Sequence, residues 1–218
     1  LRHLLSSGYQ RLAVMVNEFG TIGLDGDLIR SCGFCSEDEY EDRVIELNNG
    51  CLCCTVQEDF LPSMEKLLAR SEHLDGILVE TSGLALPRPL VQALDWPAIR
   101  TQVYVNGVIT LVDGEALHKG SPVGDIALLE RQRQQDSSLD HLTPVDDLFS
   151  DQLKTADLVL ISRADIVSDI DIKKIKTKLF SKIRKGTQIL SLNYGQIDPE
   201  LVLGINQDSS SALNHYLP

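Results

Sequence analysis

Short apolar runs alternate with helical patterns along this chain, and this alternation constrains its fold most strongly. The runs are nearly continuous, as strands buried on both faces of a parallel sheet require. We predict strands at 12–16, 77–79, 108–112, 158–161 and 189–192, and helices at 56–72, 88–94, 145–154 and 170–183. Such alternation implies right-handed βαβ crossovers and predicts an α/β fold with a doubly wound, mostly parallel sheet.

Polar motifs follow three of the predicted strands. Asn-Glu-Phe-Gly at 17–20 follows the first strand, Glu-Thr-Ser-Gly at 80–83 the second and Ser-Arg-Ala-Asp at 162–165 the fourth. Ligands of open α/β sheets bind at the carboxyl ends of the strands. We therefore expect the three motifs to converge on one edge of the sheet and to form the functional site.

The charge of the chain argues against two classes of partner. A net charge of −12 repels nucleic-acid backbones and anionic lipid. The basic segment 173–185 alternates with apolar residues at helical spacing, which is typical of a solvated helix face. The sequence shows no signal peptide and no apolar run of the roughly 20 residues that span a bilayer. We expect a cytoplasmic protein that binds neither nucleic acid nor membrane.

All five cysteines lie between positions 32 and 54. An odd, clustered set without a secretory signal indicates metal binding or redox chemistry rather than a disulfide framework. Cys51, Cys53 and Cys54 form a Cys-Leu-Cys-Cys motif, and their thiolates suit zinc, cuprous copper and cobalt. These three residues are the candidate ligands of a transferable metal ion.

Cys32 and Cys35 leave the type of metal site open. With the later motif they give C-x₂-C-x₁₅-C-x-C-C, which is close to the spacing of a structural zinc site. A closed site of that kind holds zinc permanently, whereas a carrier needs fewer or exchangeable ligands. The pair is equally compatible with buried cysteines that bind nothing. A thiol oxidoreductase is disfavoured because the strand-turn-helix context of that motif is missing.

Four motifs in order carry a resemblance to a known family. They are Val-Asn-Glu-Phe-Gly at 16–20, Asn-Gly-Cys-Leu-Cys-Cys at 49–54, Glu-Thr-Ser-Gly-Leu-Ala at 80–85 and Ala-Asp-Leu-Val-Leu at 156–160 ahead of Asp165. Over nearly its whole length the chain resembles the CobW-type P-loop GTPases, and within them the branch linked to cobalt supply for cobalamin synthesis. The resemblance implies a P-loop GTPase-like fold that uses GTP and Mg²⁺. It also implies a cargo of Co²⁺, with Zn²⁺ as the alternative, which is released on GTP hydrolysis to a receiving enzyme such as a cobalt chelatase.

The resemblance implies roles for individual residues. Glu80 would act through the magnesium shell, while the amide of Gly83 would meet the γ-phosphate. Asp165 would read guanine and the stem of Arg163 would stack on the base. Glu18 would contribute to magnesium or to a nucleotide-dependent switch. The simpler alternatives are a strand-to-helix turn for Gly83, a helix N-cap for Asp165 and a surface carboxylate for Glu18.

The chain departs from the family pattern in two places. Ser162 and Arg163 stand where Asn and Lys are usual, and loss of the asparagine amide predicts weaker guanine selectivity. The motif G-x-x-x-x-G-K-[ST] is absent. We therefore expect that a first strand and a phosphate loop precede Leu1, and that these residues alone bind GTP poorly. Residues 1–206 are predicted as the GTPase domain and 207–218 as a linker to a further domain, while the choice between monomer and homodimer stays open.

Overall fold

Helices and parallel strands alternate in the computed structural model, which describes residues 1–7, 11–17, 44–47, 60–81, 83, 85–127, 129, 131 and 143–204. The helices and strands are α1 (Arg2–Ser6), β1 (Leu12–Asn17), β2 (Val44–Leu47), α2 (Leu61–Leu68), β3 (Gly76–Glu80), α3 (Pro87–Ala93), β4 (Ile109–Asp113), α4 (Gly114–His118), α5 (Val145–Thr155), β5 (Leu158–Ser162), α6 (Asp169–Phe180), β6 (Gln188–Ser191) and α7 (Pro199–Leu203). They belong to two compact units. The first unit comprises Leu1–Ala85, Pro89–Val103 and Asp136–Leu139. The second unit comprises Leu86–Arg88, Tyr104–Gln135 and Asp140–Pro218.

The first unit is built on the parallel sheet β2-β1-β3. Val16 pairs with Glu80, so the carboxyl ends of β1 and β3 lie side by side. Helix α2 covers this sheet because its apolar residues recur at the spacing of one helix face. The residues of this core are Ala13, Met15, Phe60, Met64, Leu67, Leu68, Leu90, Ala93 and Ile99.

The second unit is built on the parallel sheet β4-β5-β6. Its central strand β5 is buried from Leu158 to Ile161, as a near-continuous apolar run in a parallel sheet should be. Asp113 pairs with Ser162, so the carboxyl ends of β4 and β5 coincide. The core contains Val112, Leu153, Ala156, Val159, Ile161, Ala164, Ile172, Ile175, Leu179 and Ile189.

The amino ends of these strands are joined through Asp157, which lies just before β5. Its Oδ2 accepts a hydrogen bond from the amide of Val108 at 2.7 Å, and its carboxylate pairs with the guanidinium of Arg184. Nearby, the buried Thr187 hydroxyl donates to the carbonyl of Ala156 at 2.7 Å. Polar groups that leave water at this end of the sheet are thereby paired, as burial requires.

The fold class predicted from sequence is confirmed. All five predicted strands are present within two residues of their predicted bounds, and so are the helices predicted at 88–94 and 145–154. The helix predicted at 170–183 ends at Phe180. The helix predicted at 56–72 is confirmed over Leu61–Leu68 and gives way to a 3-10 helix at Ser71–His73, while positions 56–59 lie outside the described residues. Strand β2 and the short helices α4 and α7 were not predicted.

All of 207–218 lies outside the described residues, so the prediction of a linker stays a prediction. Within the described part of the chain, every helix is too short or too polar to span a bilayer.

Candidate functional site

The carboxyl ends of β4 and β5 bring Asp113 and Ser162 together in the second unit. The hydroxyl of Ser162 donates a hydrogen bond to the carbonyl of Val112 at 3.0 Å. This donor is therefore used within the sheet, and a hydroxyl has a single hydrogen to donate. Toward a ligand at this edge, the Ser162 hydroxyl can therefore act only as a hydrogen-bond acceptor.

Arg163 follows β5 in a left-handed backbone conformation, with φ 53° and ψ 29°. Its guanidinium is held by two carboxylates. Nε donates to Asp113 Oδ1 at 3.0 Å, Nη2 pairs with Asp113 Oδ2, and Nη1 lies 2.7 Å from Glu115 Oε2. The charge of Arg163 is thus compensated at its tip, which leaves the aliphatic stem as the part available to a ligand.

Asp113 also begins helix α4. Its Oδ1 accepts hydrogen bonds from the amides of Glu115 at 2.9 Å and Ala116 at 3.1 Å, which is the usual pairing of an aspartate N-cap. The next residue, Gly114, packs against β5 so closely that a Cβ there would lie 2.8 Å from the carbonyl oxygen of Ser162. A glycine is required at 114 because the start of α4 touches the end of β5.

Asp165 lies in the 3-10 helix Ala164–Ile166, two residues after Arg163, and its side chain is exposed. The following helix α6 takes Ser168 as its N-cap, whose hydroxyl oxygen accepts from the amide of Asp171 at 3.3 Å. The alternative that Asp165 caps a helix is therefore wrong. Across the described residues, the Asp165 carboxylate has no ion pair or side-chain hydrogen bond, so the fold leaves it open to a ligand.

Glu80 and Gly83 belong to the first unit. Glu80 is the last residue of β3 and is half-buried, next to the carboxyl end of β1. Gly83 has no positive φ, and within the described part of the chain a Cβ at this position would meet no atom within 4 Å. The alternative that the turn itself requires a glycine is therefore disfavoured.

Several predicted site residues lie outside the described residues. They are Glu18, Cys51, Cys53, Cys54, Cys32 and Cys35, so their roles stay predictions. In the ranges that the structure does describe, three or more His, Cys, Asp or Glu side chains gather nowhere at metal-binding distance.

The two carboxylate partners of Arg163 were not predicted from sequence. The sequence assigned no role to Asp113. Its position immediately before Gly-Glu-Ala is a recognisable helix start signal, and that signal would have identified its capping role. The contact with Arg163 joins residues about fifty positions apart and carries no local pattern.

Comparison with known proteins gives a family and several relatives. The model of the CobW/HypB/UreG nucleotide-binding domain matches residues 1–191. A protein named zinc chaperone CobW from Pseudomonas aeruginosa is 44% identical over 211 residues, which cover 96% of this chain and 56% of that protein. Its namesake from Sinorhizobium sp is 39% identical over 212 residues, covering 97% and 59% respectively. The chain therefore spans less than two thirds of the length of these relatives.

A solved structure supports the same fold. The crystal structure of Zn(II)-bound YjiA GTPase from E. coli aligns with a TM-score of 0.54 and 18% identity, covering 97% of this chain and 58% of that chain.

Proposed function

Because the chain belongs to the CobW/HypB/UreG family of nucleotide-binding domains, we propose that it is the nucleotide-binding part of a metallochaperone GTPase. In this proposal, GTP binding and hydrolysis switch a cysteine site between holding and releasing a transition-metal ion. Relatives named zinc chaperones and a structural neighbour named a GTPase support this class of protein.

The exposed carboxylate of Asp165 is the observation that carries the guanine part of the proposal. It follows the carboxyl end of β5, where α/β folds bind ligands. Ser168 caps the next helix, so Asp165 has no structural task there. Guanine presents two neighbouring N–H groups that one carboxylate accepts together, whereas adenine does not. Since the Ser162 hydroxyl is used within the sheet, most of the base discrimination falls to Asp165.

Glu80 and Gly83 are proposed as the residues that sense the γ-phosphate. A carboxylate at the end of β3 offers the oxygen donor that Mg²⁺ prefers, either directly or through a water. When bound, Mg²⁺ would neutralise charge on the phosphates. Among the described residues, no atom lies within 4 Å of the position that a Cβ on Gly83 would take, so a phosphate oxygen can approach the main chain closely there.

Cys51, Cys53 and Cys54 are proposed as the ligands of the cargo ion. The relatives named zinc chaperones favour Zn²⁺ as the cargo, and Co²⁺, which the resemblance to the cobalamin branch implied, is the second candidate. Zinc binds thiolates more strongly than cobalt in the general order of divalent metals, so a cobalt carrier would need a timed site to compensate. The recipient would be an enzyme that needs the metal.

Substitution of Asp165 tests the guanine site in the full-length protein. Asp165→Asn should weaken GTP binding by roughly 10- to 100-fold, because hydrogen bonds to a charged group contribute about 1.5–3 kcal/mol. Binding of xanthosine triphosphate should strengthen, since the asparagine amide can donate to its additional oxo group. Competition against a fluorescent GTP analogue measures both affinities.

Asp169→Asn is the matched control, because Asp169 is also exposed and lies only four residues further on. It should leave both affinities unchanged. A protein that binds GTP and ATP equally, and that is indifferent to Asp165→Asn, would refute the guanine site.

A further inference from the structure

We infer that Asp113 is a positioning residue for base recognition. Through its ion pair with Arg163, it fixes the turn that contains Asp165. The inference rests on the proposed guanine site and assigns to it a residue to which the resemblance gave no role. Asp113 does not touch the base in this account. It acts through Arg163 and through the 3-10 helix Ala164–Ile166 that follows.

The contacts that carry the inference converge on one side chain. Asp113 uses both carboxylate oxygens on Arg163, at Nε and at Nη2, while Glu115 takes Nη1 at 2.7 Å. Asp113 is itself fixed, because its Oδ1 also accepts from two amides at the start of α4. Arg163 therefore attaches to a side chain that cannot move without uncapping a helix.

The backbone conformation of Arg163 explains why these ion pairs matter for the turn. Arg163 adopts a left-handed conformation that non-glycine residues populate reluctantly, and it stands immediately before the turn with Asp165. A conformation of that kind persists only where surrounding contacts hold it. The ion pairs of Arg163 are such contacts, and they connect the turn to β4 and α4.

Arginine suits this role better than the lysine that is usual in the motif. The planar guanidinium presents several donors in a fixed fork and can engage two carboxylates at once, whereas an ammonium is a point charge. Asp113 and Glu115 lie on adjacent sides of that fork. The arginine at 163 is thus matched to two acidic partners elsewhere in the chain.

Asp113→Asn separates the ion pair with Arg163 from the capping of α4. Asparagine caps helices about as well as aspartate, so the amides of α4 keep their acceptor, while the charge that holds Arg163 is removed. In the full-length protein this variant should lose about 3- to 10-fold in GTP affinity, the cost of ordering one long side chain on binding, while ATP affinity changes less than about twofold. Arg163→Lys should lower the GTP-to-ATP ratio similarly, and Glu115→Gln should lower it less.

Asp198→Asn is the matched control, because Asp198 caps α7 by accepting from the amide of Glu200 and pairs with no arginine among the described residues. It should leave the ratio unchanged. A purely structural role for Asp113 would reduce thermal stability, or affinity for both nucleotides equally, and would spare the ratio.

An NMR measurement on the nucleotide-free protein gives an independent outcome. The Nε–H signal of Arg163 should exchange slowly with water in the wild type and quickly in Asp113→Asn. An unchanged GTP-to-ATP ratio in a folded Asp113→Asn protein, or an unchanged exchange rate, overturns the inference while guanine binding stands. Failure of the wild type to prefer GTP overturns the proposed function and this inference with it.

Discussion

Arg11 donates three hydrogen bonds to the carboxylate of Asp75, from Nη2 to Oδ1 at 2.7 Å and from its amide and Nε to Oδ2 at 2.8 and 3.2 Å. The contact ties the residue before β1 to the residue before β3, at the amino ends of two paired strands. Both side chains are substantially exposed, yet the hydrogen bonds lower the pKa of Asp75 from 3.8 to about 2. The geometry, rather than burial, produces this shift.

The shift predicts a pH dependence. A carboxyl whose folded pKa is depressed stabilises the fold above its unfolded pKa and loses that contribution as pH falls through the folded value. The contribution of Asp75 should therefore be complete above about pH 4 and should fade towards pH 2. Carboxyl ¹³C NMR should give an Asp75 midpoint about two units below that of an unpaired aspartate. Arg11→Gln should raise the midpoint, and a wild-type midpoint near 3.8 would contradict the assignment.

Substitution of Leu153 measures how much the core of the second unit contributes to the unfolding free energy. It is fully buried on α5, so Leu153→Ala removes apolar burial and leaves a cavity, which should cost about 2–5 kcal/mol of unfolding free energy. Leu201→Ala is the control because Leu201 is half exposed, and it should cost less than about 0.5 kcal/mol. Urea denaturation measures both. Equal effects of the two substitutions would mean that the described core is wrong.

Two glycine-to-alanine substitutions separate a packing role from a ligand role. Gly83→Ala should leave the unfolding free energy within about 0.5 kcal/mol, because the new Cβ would contact none of the described residues and the φ of Gly83 is not positive. It should nevertheless slow GTP hydrolysis about tenfold or more, equivalent to about 1.4 kcal/mol of the barrier, if the amide must approach the γ-phosphate.

Gly114→Ala makes the same chemical change where a Cβ would lie 2.8 Å from a backbone oxygen, and it should cost about 1–3 kcal/mol of stability. Thermal melts with single-turnover hydrolysis distinguish the two cases. Unchanged GTP hydrolysis in Gly83→Ala would mean that Gly83 only forms a turn and does not approach the γ-phosphate.

The fold was predictable where hydrophobic patterning is strong. The run at 158–161 is apolar throughout, and it proved to be the buried central strand β5. Strand β2 was missed because it has four residues, one of them Glu46, in a polar neighbourhood. Helix α4 was missed because its five residues are too few to show a helical period, so that only its cap, Asp113, marks its start.

The candidate site was predictable only in its local parts. Asp165 was identified from the family resemblance together with its position after a buried strand, and the structure adds that it is exposed and is not the N-cap of the following helix. The left-handed backbone of Arg163 and its distant partners could not be read from the sequence, because no local rule specifies a contact between residues about fifty positions apart. The roles proposed for the cysteines rest on their spacing and on the family.

Control of metal binding by nucleotide can be measured by an anaerobic metal titration of the full-length protein. Zn²⁺ is titrated against a chromophoric chelator, and Co²⁺ through its thiolate charge-transfer absorption, each with and without Mg-GTP. We expect tight, stoichiometric binding only with Mg-GTP. Binding should be lost when Cys53 and Cys54 become Ser and retained when Cys32 and Cys35 become Ser. Metal held equally tightly without nucleotide would rule out control by nucleotide and would indicate a structural zinc site.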